Sequence, residues 1–394
     1  MNKLINYIKL HYYKKHFVYY LYIAIAVITS CKQYFTGNYN NYKIYKYSFY
    51  HLLHQVSLYD KYPLEHLDTN HYGPIFSLLI APFALMPDLL GFMFWNTFNG
   101  ILLCYGIFSL PIPKKAQGLL AILVAHEALC SMLMCQFNVG LTGLMLLSFS
   151  YMIKQEEFKS AFAIVLGTLI KLYGVVGLAF FIFSKRKIHL IIYGILITIV
   201  LLVAPILFSS TQFTYHAYLE WYQSLVTKNT LNLHSDYQDV SFMGMFRRIF
   251  KNPDIPNLLF LIPGLILFFI PYLRVSQYKH HCFRLLMLAS TLIFVVIYSS
   301  GSESPTYIIA FTGVSLWFIV QYQNTKKIWV LIVFIFAFIV TSLSPSDLFP
   351  SYVLHHWIQP YGFKALPCVI VWFVITYQMI FVDFKNFSLK QDHE

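Results

Sequence analysis

Apolar runs of about 17–25 residues recur along the chain, separated by short polar connections. Runs of that length cross a hydrocarbon core of about 30 Å as helices. The pattern predicts an all-α, polytopic membrane bundle of about 12 spans, treated as one integral membrane domain over residues 1–394. A first span covers 17–31, and core spans fill 72–208, near 117–134, 138–153, 160–184 and 188–208. Further spans fall near 257–273, 283–299, 305–320, 328–344 and 366–382, and polar stretches occupy 32–71 and 209–256. A membrane barrel would instead show alternating segments of about ten residues. Within the first polar stretch, NNYKIYKYSFYHLLH (40–54) sets Tyr42, Tyr45, Phe49 and Leu52/Leu53 near one helical face, which predicts an interfacial amphipathic helix.

Charge orients this pattern. The basic start, MNKLINYIKLHYYKKHF, places the N-terminus in the cytoplasm by the positive-inside rule. The start has no convincing cleavage site and reads as an uncleaved first span. KRK (185–187), RVSQYKHHCFR (274–284) and QYQNTKK (321–327) are likewise cytoplasmic, as is the C-terminal tail. Residues 32–71, 209–256, 299–304 and 345–365 then face outward. The region 72–187 stays open, because Lys114 and Lys115 would otherwise fall outside. A re-entrant pair of half-helices at 72–87, or a break at Lys171, would repair this.

Composition agrees. The chain is 58% hydrophobic and only 11% charged, against about 25% charged in soluble domains, and its mean hydropathy is +0.61. The net charge of +12 is scattered between spans, which argues for cytoplasmic loops and against nucleic acid. Six cysteines show neither metal nor disulfide spacing. Part of the 19% aromatic content follows from a Lys-, Asn-, Ile-, Tyr- and Phe-rich composition typical of an AT-rich genome.

Polar residues are scarce enough that each cluster bears on function. LYDKYPLEHLDTNHYGPIF (58–76) gathers Asp60, Glu65, Asp68, His66 and His71 before the chain re-enters the apolar region. These read as solvated loop residues or, for Asp68 at the re-entry point, as a base facing a lipid-borne substrate. Lys171 lies inside the apolar run LGTLIKLYGVVGLAFF (166–181). A charge there costs about 2.5–3.5 kcal/mol on insertion scales and must pair, snorkel or serve a function. It suits a phosphate head group, or a salt bridge to Glu127. HSDYQDVSFMGMFRRIF (234–250) carries His234, Arg247 and Arg248; the arginines could clamp a lipid phosphate or form a solvated helix end. YSSGSESPTYIIAF (298–311) places Glu303 before Pro305, as a helix cap or a polar cavity wall. MCQFNVGL (134–141) offers Gln136 and Asn138 to sugar hydroxyls or to helix pairing. The sequence contains no nucleotide-binding, zinc-protease or paired-cysteine motif.

These segments share an order with a known family. EHLDTNHYGPIFSLLIAPFALMPDLLGFMFWNTFN, QFNVGLTGLMLL, TLIKLYGVVGL, DVSFMGMFRR and ESPTYIIAF, over roughly 35–320, resemble glycosyltransferase family 87, also called the DUF2029 family. That family includes polyprenol-phosphate-mannose-dependent mannosyltransferases. The resemblance implies a GT-C architecture in a bacterial inner (plasma) membrane, with the active site on the extracytoplasmic face. Its partners would be a polyprenyl-phosphate sugar donor, a glycan or glycolipid acceptor and the bilayer. The residues fix no cofactor with certainty, and a divalent metal is compatible although no ligand cluster in the sequence demands one.

Three positions depart from the family pattern. Asn41 stands where the catalytic Asp is usual, Cys135 replaces Gly before Gln136, and Gly174 replaces Pro after Tyr173. The reading therefore gives the base role to Asp68 and the donor phosphate to Lys171 with Arg247 or Arg248. Asn41, Tyr72, Gln136, Asn138, Tyr173, His234 and Glu303 become the substrate-binding set. A transporter or flippase of lipid-linked saccharides, or a non-catalytic assembly partner, is the alternative.

Overall fold

A computed structural model describes residues 11–235, 238–346 and 348–389. The first ten residues of the basic N-terminal flank and the end of the tail expected in the cytoplasm, 390–394, lie outside the described residues. Among those described, the chain is helical and contains no strand. Several helices are apolar enough to serve as spans, as expected for a membrane protein. Asp88–Ser109, Lys114–Leu133, Lys187–Phe208 and Ser304–Thr325 are long and apolar enough to cross a bilayer, and Ser351–Tyr361 with Leu366–Phe381 forms a pair bent by 57°. Shorter apolar helices include Ile75–Ala84, Asn138–Ile153, His281–Ile297 and Ile328–Leu343.

The chain divides into two compact units, one of Tyr19–Leu110 and Ser131–Lys228, the other of Met1–Val18, Pro111–Cys130 and Asn229–Glu394. The first unit is built on α1 (Lys15–Phe35), α2 (Asn40–His54), α3 (Ile75–Ala84), α4 (Asp88–Ser109), the end of α5 (Lys114–Leu133), α6 (Asn138–Ile153) and α7 (Glu157–Ile170). A 3-10 segment (Leu172–Phe183), α8 (Lys187–Val203) and α9 (Thr211–Leu233) complete it. The second unit holds most of α5 with α10 (Phe242–Ile249), α11 (Leu258–Phe269), α12 (His281–Ile297), α13 (Tyr307–Thr325), α14 (Ile328–Ala337) and α15 (Leu366–Phe381).

In the first unit α6 is sandwiched between α4 and α7, and nearly all its side chains are buried. Polar pairing helps to fix the helices, as it does where lipid supplies no hydrophobic drive. Asn99 Nδ2 donates to the Trp95 carbonyl at 2.8 Å, while its Oδ1 accepts from the Gly140 amide of α6 at 3.1 Å. Asn96 donates to Ser30 Oγ of α1 and to the Met132 carbonyl of α5. By contrast α8 exposes a ring of Ile, Leu and Val side chains, the composition of a helix that meets acyl chains rather than protein.

The helix expected at 40–54 is present as α2, and Tyr42, Tyr45, Phe49 and Leu52 lie on its buried face while Leu53 is exposed. In the second unit α12 and α13 are buried along almost their whole length. Trp372 Nε1 of α15 donates to Ser290 Oγ of α12 at 3.1 Å, and Trp317 Nε1 of α13 donates to Gln378 Oε1 of α15 at 3.1 Å.

Candidate functional site

The first unit concentrates polar residues where α7 breaks. α7 ends at Ile170, and Lys171 turns extended (φ −145°, ψ 122°) before the 3-10 segment begins. Such breaks free backbone groups and are tolerated at membrane depth where they face protein or a cavity. Across the break the chain folds back closely: the Gly174 amide donates to the Lys171 carbonyl at 3.0 Å. A Cβ on Gly174 would lie 2.3 Å from the Gly167 carbonyl carbon. Proline at 174 could neither donate that bond nor fit that space, so the departure from the family's Lys-Leu-Tyr-Pro pattern has a local cause.

The re-entry segment docks on this break. The Gly73 amide donates to the Ile170 carbonyl at 3.1 Å, and a Cβ on Gly73 would stand 1.9 Å from the Leu169 carbonyl oxygen. Glycine is therefore required to bring Tyr72 to Lys171. Asn70 Oδ1 accepts from the Tyr72 amide at 3.0 Å, an Asx turn that sets the residue's direction.

Around this contact five expected site residues come together. Lys171 Nζ donates to Asn138 Oδ1 at 2.8 Å, and Asn138 Nδ2 donates to Gln136 Oε1 at 2.7 Å. The ammonium lies 5.9 Å from the Tyr72 ring centroid and 5.1 Å from that of Tyr173, within the range of cation–π attraction. Tyr72 Oη accepts from the Phe137 amide and from Tyr45 Oη, both at 3.2 Å. Lys171 remains half-buried and Asn138 is fully buried. The cluster thus offers a cation backed by an amide chain and aromatic faces, the equipment for binding an anionic, hydroxylated head group.

The turn that carries Gln136 explains a second departure. Cys135 adopts φ +54°, the left-handed region that favours glycine. Its backbone is held there by the Met132 carbonyl, which accepts from its amide, and by Trp95 Nε1, which donates to its carbonyl. Asn41 completes the same turn, its Nδ2 donating to the Met134 carbonyl at 2.7 Å. An aspartate there would set a carboxylate against a carbonyl oxygen, so Asn41 holds the turn as a donor.

Asp68 is exposed, and its Oδ1 accepts from the Thr69 amide at 2.8 Å. His71 links the loop to the lysine electrostatically. Burial above all, with the charges of Lys228 and Lys171, pushes its imidazole down to about 4 against the opposing pull of Asp68. His71 is therefore neutral near pH 7. Its Nδ1 lies 2.8 Å from Ser224 Oγ, which donates in turn to the Asn70 carbonyl at 3.2 Å.

The remaining expected residues belong to the second unit. Arg247 is buried and pairs with buried Asp239, and it also donates to Asn257 Oδ1 and the Ile255 carbonyl. Arg248 donates to the carbonyls of Gln359, Ser235 and Gln238. Ser241 caps α10 by accepting from the Gly244 amide and donates to Asp239, which burial raises against the pull of Ser241 and Arg247. Glu303 forms a capping box with Thr306 at the turn before α13, and His234 is exposed. The alternative partner for Lys171, Glu127, is engaged elsewhere: Lys364 Nζ lies 3.3 Å from its carboxylate, and both side chains are buried.

Sequence reasoning missed Asp239, Lys364 and Tyr45 as partners. It also missed the proximity of His51, Glu65 and His66, whose ligand atoms lie within 4.8 Å of one another. The adjacent Glu65–His66 pair was the visible signal, but its third member lies on α2.

The architecture is that of an all-helical membrane protein with a lysine-centred polar site at a helix break. The sequence model of glycosyltransferase family 87 matches residues 70–299, more than half of the 394-residue chain, and the chain belongs to that family. The matched segment contains Tyr72, Gln136, Asn138, Lys171, Tyr173, His234, Arg247 and Arg248, whereas Asn41, Asp68 and Glu303 lie outside it. No curated protein matches the chain.

Proposed function

We propose that the protein is a hexosyltransferase that moves a sugar, mannose being the leading candidate, from a polyprenyl-phosphate donor to an envelope glycan or glycolipid. The reaction is assigned to the extracytoplasmic face of a bacterial inner membrane, in a GT-C bundle with both termini cytoplasmic. The observation that carries this reading is the half-buried Lys171, held by Asn138 and faced by Tyr72 and Tyr173, inside the segment matched by a glycosyltransferase family.

In the proposed step Asp68 takes the proton of the acceptor hydroxyl, and that oxygen bonds to the anomeric carbon. The bond from this carbon to the phosphate oxygen breaks, and polyprenyl phosphate leaves with the electron pair. Lys171 stabilises the charge that develops on the leaving phosphate. Gln136 and Tyr173 orient the donor, a contribution of position rather than of proton transfer. Attack in a single displacement inverts the anomeric centre. Arg247 and Arg248 are assigned to the architecture of their own unit, because their guanidinium groups serve Asp239 and backbone carbonyls there.

The test is Asp68→Asn in purified protein given a labelled polyprenyl-phosphate sugar and membrane extract. Loss of a general base lowers transfer by about 10²–10⁴-fold. Undiminished transfer would remove Asp68 from the reaction. Wild-type protein that moves the lipid-linked sugar without transferring it would favour the flippase.

A further inference from the structure

We infer that His51, Glu65 and His66 form a binding site for a first-row divalent transition ion, zinc being the ion they suit best. The site lies outside the residues matched by the family, and it stands independently of the donor chemistry proposed above. Two imidazoles and one carboxylate converge, their ligand atoms all within 4.8 Å. His51 Nε2 and Glu65 Oε2 are only 2.7 Å apart. A zinc ion takes nitrogen at about 2.0–2.1 Å and carboxylate oxygen at about 2.0–2.2 Å. Zinc would replace the proton that His51 Nε2 shares with Glu65, the two groups parting to admit the ion.

The surroundings fix the ligands as metal sites require. His66 Nδ1 lies 2.6 Å from the Asp68 carbonyl oxygen. A carbonyl can only accept, so Nδ1 carries the proton and Nε2 keeps its lone pair. This is the outer-contact arrangement that orients metal-bound histidine. The Tyr62 carbonyl accepts from the amides of both Glu65 and His66, at 2.8 and 2.9 Å, which sets the two side chains on one turn. The Tyr62 ring packs on His51 with centroids 4.0 Å apart, and its hydroxyl donates to the Ser57 carbonyl. His51 itself comes from the buried face of α2.

His51 and His66 are buried while Glu65 is half-exposed. Three protein ligands with an open side leave room for water in the remaining position. Imidazole selects zinc and its neighbours over hard ions such as calcium. The ion would pin the 55–72 connection to α2 and thereby brace the stretch that runs from Asp68 to Tyr72.

The test uses the full chain purified in detergent without a polyhistidine tag, stripped with chelator and titrated with zinc, then with calcium. Wild type is expected to bind one zinc per chain and no calcium, and its unfolding temperature rises with zinc. Removing an outer contact of a metal ligand weakens binding by about 10–100-fold; His66→Ala and Glu65→Gln, which remove ligands, should weaken it at least as much. Glu65→Gln retains an acceptor for His51, so it also controls for folding. His54→Ala, on the exposed face of α2, should bind as wild type does. Absence of stoichiometric zinc, or equal binding by the His51→Ala/His66→Ala double variant, would overturn the site.

Discussion

Lys364 and Lys171, one in each unit, are held in different ways. Lys364 is buried, with its ammonium 3.3 Å from the fully buried Glu127, 3.0 Å from Ser304 Oγ and 5.2 Å from the Tyr307 ring centroid. Lys171 stays half-buried at a helix break, and its Nζ meets an amide oxygen and two tyrosine faces. The first arrangement neutralises charge and fixes helices. The second sets an ammonium against an amide oxygen and two aromatic faces where a helix breaks. A buried lysine in an apolar chain is thus no sign of function by itself; its exposure and surroundings decide.

The largest expected effect tests the structural half of this contrast. Lys364→Met leaves Glu127 buried without its partner, and breaking such pairs destabilises by about 3–5 kcal/mol. Thermal unfolding in detergent should drop by many degrees, and Glu127→Gln added to Lys364→Met should recover part of the loss. An unchanged unfolding temperature would mean that the pair contributes nothing.

A smaller effect sharpens the ligand-binding half. Gly73→Ala forces a Cβ to within 1.9 Å of the Leu169 carbonyl unless the backbone moves. Overpacking of this kind costs about 1–3 kcal/mol, and it displaces Tyr72 from Lys171. Sugar transfer should fall by more than the loss of folded protein explains. Wild-type transfer by a stable Gly73→Ala protein would show that the docking of the re-entry segment is dispensable.

Much of this was legible in the sequence wherever local periodicity or a scarce polar residue carried the signal. The face of α2 follows from spacing alone, because Tyr42, Tyr45, Phe49 and Leu52 recur at helical intervals. Lys171, Gln136 and Asn138 stood out because charge and amides are rare in apolar runs. Their grouping was not legible. It depends on α6 packing against α7, which brings Asn138 to Lys171, a contact that no local pattern encodes. Lys364 carries no local signal, since its partner lies 237 positions away. Arg247 looked like a phosphate clamp, yet Asp239, eight positions earlier, faces it across the cap of α10. The three positions 41, 135 and 174 stand in the sequence only as departures from the family pattern. In the structure one is a hydrogen-bond donor, one sits in a left-handed turn and one is a close backbone approach.

The central claim is that Lys171 grips the phosphate of a lipid-linked sugar. It is tested most directly by Lys171→Met in purified protein, following transfer of labelled sugar from polyprenyl phosphate alongside the unfolding temperature. Removing one donor to a developing oxyanion typically costs about 10²–10³ in rate, and the account predicts a loss of that order with folding retained. Transfer at the wild-type rate by folded Lys171→Met protein would contradict it.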